Sequence, residues 1–307
     1  MIAPPGRTIA ELRGAEPGPT LIVIGGVHGN EPAGIAAARD VIGALGDTAI
    51  RGELLAVIGN LRASVAGRRH LGHDLNRLWT EDQLAAARRA GGEDMAPEPG
   101  ELSELVELAA VIDAAIARAR GPVHVLDLHT TSAPGFPFAV VGPTPAHRRF
   151  ARAFQLPGIL GLEAMLPGVL TGYYGGRGCI TLAIEGGQHT AAATADNLAA
   201  IVTLALEASG VVVAMQGAAA ARDHLARVRG ELPALIEVAV RHPVRPEHAF
   251  HMEPGFANLH RTAAGTLLAR DVGGEIRAPF DGIVLLPLYQ PDGDDGFFYG
   301  RALPDEV

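Results

Sequence analysis

The chain predicts an α/β fold: a largely parallel or mixed central sheet with helices on both faces, followed by a smaller β-rich part. Three observations carry that expectation. Continuous apolar runs of strand length recur through the first part of the 307 residues, as in Leu21–Ile24 and Ile180–Ile184. Stretches with apolar residues at helical spacing lie between them. After about Gly217 the pattern changes to short β-prone pieces divided by Pro and Gly, with no helical period between them.

In order, Thr20–Gly25 reads as a buried strand, and Pro32 to Leu45 as a helix with proline near its start and Gly46 just past its end. Glu53–Gly59 is a second strand. The polar, arginine-rich stretch Asn60–Trp79 is too long for a plain connector and is suspect for function. Glu81–Ala90 is helical, Gly91–Gly100 a loop. Glu101–Arg120 is a helix on its Leu102, Leu105, Leu108, Ile112 and Ile116 periodicity. Val123–Leu128 is a strand ending at His129; Phe138–Val141 and Ile180–Ile184 are further strands, and Thr194–Ala208 is helical. Leu232–Val240, Gly265–Leu268, Glu275–Ala278 and Gly282–Leu286 are expected to form a separate β domain rather than to continue the sheet. The domains are therefore expected at 1–217 and 218–307.

Composition bounds the function. Hydrophobic residues make up 48% and charged residues 19%, which describes a globular chain. No apolar run approaches the roughly 18 residues of a membrane span. The N-terminus does not read as a signal peptide, and Cys179 is alone, so a cytoplasmic location is expected. The 25 basic residues are all Arg, which removes Schiff-base chemistry and a Walker-type phosphate loop. A net charge of -9 argues against nucleic acid as a partner. Homo-oligomerisation is left open.

The chemistry-bearing residues cluster at strand ends. Gly25-Gly26-Val27-His28-Gly29-Asn30-Glu31 puts an imidazole and a carboxylate three residues apart after a buried strand, a spacing that suits zinc. A catalytic zinc takes three protein ligands, and His129 is the best third candidate. Asp127 shares its strand face and is placed to orient a ligand or a nearby Arg. His70-x-x-His73, beside Asp74, and His248-x-x-His251 have metal spacing but follow no buried strand. Asp292-Gly293-Asp294-Asp295-Gly296 lacks the spacing and the terminal Glu of an EF-hand, so a solvated hairpin turn accounts for it better. Glu185, between an apolar run and Gly186-Gly187, is a candidate general base. Arg62 and Arg77 supply positive charge, and Arg77 suits a bidentate grip on a carboxylate. Arg68 and Arg69 read as a solvated surface pair.

These blocks in order (GGVHGNE at 25–31, NLRA and DLNR between 60 and 77, DLHTTS at 127–132, IEGG at 184–187) resemble the succinylglutamate desuccinylase/aspartoacylase family over roughly residues 20–190. These are zinc deacylases related to metallocarboxypeptidases. The resemblance implies a zinc-carboxypeptidase-like three-layer domain with one zinc on His28, Glu31 and His129, and a C-terminal domain over the entrance. It implies Glu185 as the base, Arg62 as the residue steadying the oxyanion, and Asn76 with Arg77 gripping the α-carboxylate of a small N-acyl amino acid. Family members that act on acidic acyl groups add another Arg and a C-terminal Tyr; Arg177 and either Tyr289 or Tyr299 are the candidates here. N-succinyl or N-acetyl derivatives of Glu or Asp are the first trial substrates. A metallocarboxypeptidase, or a non-catalytic binding protein on the same scaffold, are the competing readings.

Overall fold

The structure, a computed structural model, describes residues 6–90 and 100–304. The expected loop Gly91–Gly100 therefore lies almost entirely outside the described residues.

The main body runs β1 (Thr8–Arg13), β2 (Thr20–Gly25), α1 (Pro32–Gly43), β3 (Glu53–Ile58), α2 (Leu61–Ala66), α3 (Glu81–Ala90), α4 (Glu101–Arg118) and β4 (Val123–Thr131). It continues through β5 (Phe138–Val141), α5 (Pro145–Arg152), β6 (Gly158–Leu160), α6 (Leu162–Met165), α7 (Leu170–Gly176), β7 (Ile180–Gln188), α8 (Ala192–Ala208) and α9 (Ala218–Arg229). Parallel pairing of β3, β2, β4 and β7 forms the centre of the sheet; β1 joins one side antiparallel to β3, and β5 the other antiparallel to β7.

Strands β2 and β3 are buried at every position because both faces of the sheet are covered. Leu21 and Val23 pack with α1 and α8 residues such as Ala38, Leu198 and Ile201. Ile22 and Ile24, pointing the other way, pack with Leu84 of α3 and Leu105, Leu108 and Ile112 of α4. The result is the expected three-layer α/β arrangement.

The last part follows as β8 (Leu235–Pro243), β9 (His251–Met252), β10 (His260–Thr262), β11 (Leu267–Asp271), β12 (Gly274–Arg277), β13 (Gly282–Leu285) and β14 (Asp295–Ala302). It is β-rich, as expected, but most of it continues the main sheet. Strand β8 pairs parallel with β6, and β14, β13 and β10 follow antiparallel, giving the order β1-β3-β2-β4-β7-β5-β6-β8-β14-β13-β10. Only β12, β11 and β9 form a separate small sheet. The short β6, with Gly158 and Ile159 buried, offers the backbone edge that β8 completes. The compositional boundary at Gly217 also precedes α9, whose Ala218, Ala221 and Leu225 share the core of α8. Beyond it, Ile236 and Val238 of β8 pack in one cluster with Phe138, Val140 and Ile159 of the main body.

Candidate metal centre and active site

The loop after β2 brings His28 and Glu31 to the carboxyl end of the parallel strands, where α/β folds build their sites. Gly26 sits at φ 72°, which an L side chain rarely adopts, and a Cβ on Gly29 would lie 2.1 Å from the Ala63 carbonyl carbon. These two glycines let the loop turn sharply and press against α2. His129 reaches the same point from β4.

The three side chains converge. His28 Nδ1 lies 2.9 Å from Glu31 Oε1, and His129 Nδ1 lies 3.2 Å from Glu31 Oε2. One ligand atom from each falls within 4.8 Å of the others, and all three residues are buried. The Thr130 N–H donates to Glu31 Oε2 at 2.8 Å and fixes the carboxylate. Each imidazole is anchored behind: His28 Nε2 contacts Asp74 at 3.2 Å, and His129 Nε2 contacts Asp127 at 2.8 Å. A carboxylate on the far nitrogen of each histidine is the arrangement that orients ring and tautomer for a metal. Neutral imidazole and carboxylate donors on a buried cluster fit a divalent cation such as zinc.

Electrostatics agree with a cation between them. Burial alone would raise the Glu31 carboxyl, but His28 and His129 hold it well below the usual carboxylate range. Burial would lower His129, yet Asp127 and Glu31 lift it well above its ordinary value. The surrounding carboxylates thus favour positive charge at this point, whether a proton on His129 or a bound cation.

Glu185 stands beside this cluster because β4 and β7 pair in parallel register with His129 opposite Glu185. It lines the same cavity, and its Oε2 is buried without a hydrogen-bond partner. Burial pushes its carboxyl up to about 8, opposed by His129 and reinforced by Glu31. A carboxylate with that proton affinity can accept and return a proton near neutral pH.

The arginines are arranged differently from the sequence expectation. Arg62 does not line the cavity; its Nη1 and Nη2 are held by Glu104 and Glu107 at 2.7 Å each. Arg69, expected on the surface, is only 12% exposed, lines the cavity, and lies 2.8 Å from Asp74 and 3.7 Å from Glu31. The reason is the path of the Asn60–Trp79 segment: Gly29 N–H donates to the Arg69 carbonyl at 3.0 Å, tying this residue to the His28 loop. Arg68, its neighbour, is exposed as expected.

Asn76 and Arg77, on a short 3-10 turn, both line the cavity. Asn76 Oδ1 accepts from the Leu170 N–H at 2.9 Å, leaving its amide N–H groups free to donate. Arg77 Nη2 contacts Asp295 at 3.3 Å, and its Nε is buried without a hydrogen-bond partner, 4.0 Å from Asp294 Oδ2. Arg177 lies elsewhere, 45% exposed and bound to Glu81 at 2.7 Å. The Tyr289 hydroxyl donates to the Glu253 carbonyl, and that of fully buried Tyr299 to the Phe280 carbonyl; neither tyrosine lines the cavity. Gln290 does.

Among the described residues, neither His70 with His73 nor His248 with His251 joins a third metal donor. The Asp292–Gly296 turn is not simply solvated: Asp294 and Asp295 line the cavity, and Asp295 holds Arg241 at 2.6 Å. Sequence reasoning missed Asp74 as a histidine anchor, although it sits in the DLNR block already singled out.

Fold and donor set together define an α/β protein with a candidate divalent-metal centre at the carboxyl ends of its parallel strands. The chain belongs to the succinylglutamate desuccinylase/aspartoacylase family, whose catalytic-domain model matches residues 17–172, just over half of its length. A succinylglutamate desuccinylase of Burkholderia pseudomallei is 37% identical over 117 residues, which cover 36% of this chain and 30% of that protein. The matched segment therefore spans under a third of that relative. The succinylglutamate desuccinylase/aspartoacylase structure from Rhodobacter sphaeroides superposes with a TM-score of 0.68 at 18% identity, covering 96% of this chain and 88% of the other. The succinylglutamate desuccinylase structure from Vibrio cholerae gives 0.65 at 17% identity, over 95% and 84%. At these identities the two structures share the fold.

Proposed function

We propose that this protein is a zinc-dependent amidohydrolase that removes the acyl group from a small N-acyl amino acid. One observation supports it most: Glu31 bridges the Nδ1 atoms of two carboxylate-anchored histidines, with the buried, unpartnered Glu185 Oε2 beside them. His28, Glu31 and His129 would hold the ion. Zinc supplies Lewis acidity toward the amide carbonyl and lowers the pKa of water.

The chain's own residues do the rest. Asn76 donates from its amide and Arg77 from its guanidinium to the substrate α-carboxylate, a bidentate match that fixes the scissile bond. Glu185 takes a proton from the attacking water as oxygen bonds to the carbonyl carbon. It returns that proton to the amide nitrogen as the C–N bond breaks, giving a carboxylate and an amine. Arg69, in place of Arg62, is positioned to donate to the oxygen on which negative charge develops. Its guanidinium is buried and held by Asp74, so little reorganisation is needed.

The strands and loops that follow α9, within the 218–307 part expected over the entrance, contribute Leu286, Pro287, Leu288, Gln290, Asp294, Asp295 and Phe298 to the cavity wall. A cavity of about 140 Å³ walled in this way favours a small substrate over a peptide, against the metallocarboxypeptidase reading. The test is hydrolysis by the zinc-loaded protein of a panel of N-acyl amino acids beside a blocked dipeptide. Turnover of the dipeptide alone, or of nothing, would remove this reading. We place the reaction in the cytoplasm; no described helix is long and apolar enough to cross a membrane.

A further inference from the structure

The inner wall of the cavity is apolar, formed by Val140, Leu162, Leu166, Val169, Ala183 and Phe298. One ionisable side chain interrupts it. Glu163, the second residue of α6, lines the cavity, and its Oε1 is buried with no hydrogen-bond partner. Burial raises its pKa, an effect opposed by the nearby Thr171 hydroxyl, which lines the cavity too. An unpaired carboxyl oxygen beside apolar side chains is costly unless a donor reaches it.

The position of Glu163 ties it to the amino-acid half of the substrate. Thr171 directly follows Leu170, whose N–H is bound by Asn76 Oδ1, and the Trp79 N–H donates to the Gly168 carbonyl at 3.0 Å. The segment bearing Glu163 and Thr171 is therefore stitched to the Asn76–Arg77 clamp. Glu163 and Thr171 line one cavity with Asn76 and Arg77.

The charge inventory is one-sided. Among the described residues, Arg69 and Arg77 are the arginines lining the cavity, against Glu31, Glu163, Glu185, Asp294 and Asp295. Arg69 is paired with Asp74 and Arg77 with Asp295, and the proposed reaction commits them to the developing oxyanion and to the α-carboxylate. Arg241, behind the wall, is committed to Asp295 and to the Met165 carbonyl, each at 2.6 Å. A second substrate carboxylate would find no further arginine lining the cavity and would share it with Glu163.

Resting on the deacylase reading, we propose that Glu163 sets the specificity of this site: it accepts an N-acyl amino acid whose short side chain ends in a hydrogen-bond donor, an amine above all, and rejects an acidic one. The Glu and Asp derivatives that are the natural first trials are then poor substrates. An ammonium gains a charge-assisted hydrogen bond to Oε1, whereas a carboxylate is repelled across a desolvated wall.

The experiment measures kcat/KM of the zinc-loaded protein for the Nα-acetyl derivatives of diaminobutyrate, ornithine, norvaline, aspartate and glutamate. Wild type, Glu163→Gln and Glu163→Arg are compared. The expected wild-type preference for the amines over the acids is at least about tenfold. Glu163→Gln should cut the amine-to-norvaline ratio by about tenfold, and Glu163→Arg should move the preference to the acids. A wild-type preference for the acids overturns the proposal, as does a Glu163→Gln that slows every substrate equally. If no derivative is hydrolysed, the deacylase reading fails by itself, and calorimetric binding of free ornithine and glutamate decides specificity. Tighter ornithine, weakened by Glu163→Gln, sustains it; equal or tighter glutamate, or binding of neither, overturns it.

Discussion

The Arg62 backbone N–H donates to Glu104 Oε1 at 3.0 Å, and its Nη1 donates to the same oxygen at 2.7 Å. Glu104 also accepts from the Leu61 N–H and holds Arg7, whose guanidinium in turn donates to the Ile58 carbonyl. This network fastens the start of α2 to α4 and to the end of β3. Arg62 is a brace outside the cavity, whereas Arg69 lines it.

The two arginines are therefore expected to separate in a mutant pair. Arg69→Ala should lower kcat by about 10²- to 10³-fold, the range for losing one oxyanion donor. Arg62→Ala should leave turnover within a few-fold and appear instead as a lower melting temperature. Steady-state kinetics alongside thermal unfolding checks both, and equal kinetic losses would contradict the assignment.

Removing the other partner of the brace should cost more. Glu104 is 1% exposed and Arg7 8%, so Glu104→Ala leaves a buried guanidinium with only the half-exposed Glu107, at 2.8 Å, as counter-charge. A loss of about 3 to 5 kcal/mol is expected in urea unfolding, the range for breaking a buried pair.

Metal should bind without the base. In Glu185→Gln the donors His28, Glu31 and His129 are intact, so zinc content by elemental analysis should match wild type while turnover falls by at least about 10²-fold. In His129→Ala the zinc content itself should drop. Equal zinc in both variants would show that the ion is held elsewhere.

Zinc should also stabilise the fold. A ligand bound only by the native state at about 100 times its Kd adds about 2.7 kcal/mol. Chelation is expected to lower the melting temperature of wild type and to leave His129→Ala unchanged.

His124 makes stability depend on pH away from the site. It packs 4.8 Å from the Phe150 ring, and burial lowers its pKa from 6.5 to about 4. The unfolded chain then binds the proton first, so stability falls as pH drops from 6.5 toward 4 and is unaffected by this group above 6.5. Between pH 6.5 and 5 the loss is about 2 kcal/mol. His124→Leu should remove that part of the acid sensitivity in unfolding curves measured at both pH values.

Much of the fold was legible because buried strands and amphipathic helices write their periods into the chain. Thr20–Gly25 and Phe138–Val141 appear within the expected bounds. The C-terminal strands were harder. Nothing local in Leu235–Pro243 says that it pairs with the three residues of β6, since edge pairing depends on which backbone is left open.

The sequence by itself located the candidate metal donors and the proposed base. His28, Glu31, His129 and Glu185 each sit at the end of an apolar run, and parallel strands carry their carboxyl ends to one edge. Tertiary structure alone decided which arginines face that edge. Arg62, Arg68, Arg69 and Arg177 are chemically identical and lie in irregular segments or at helix ends, so no periodicity assigns them a direction. The Gly29 N–H to Arg69 carbonyl bond turns one inward, while Glu104 and Glu81 claim two others. Glu163 belongs to the same category: a carboxylate on a four-residue helix gains meaning only when the wall around it proves apolar and short of cations.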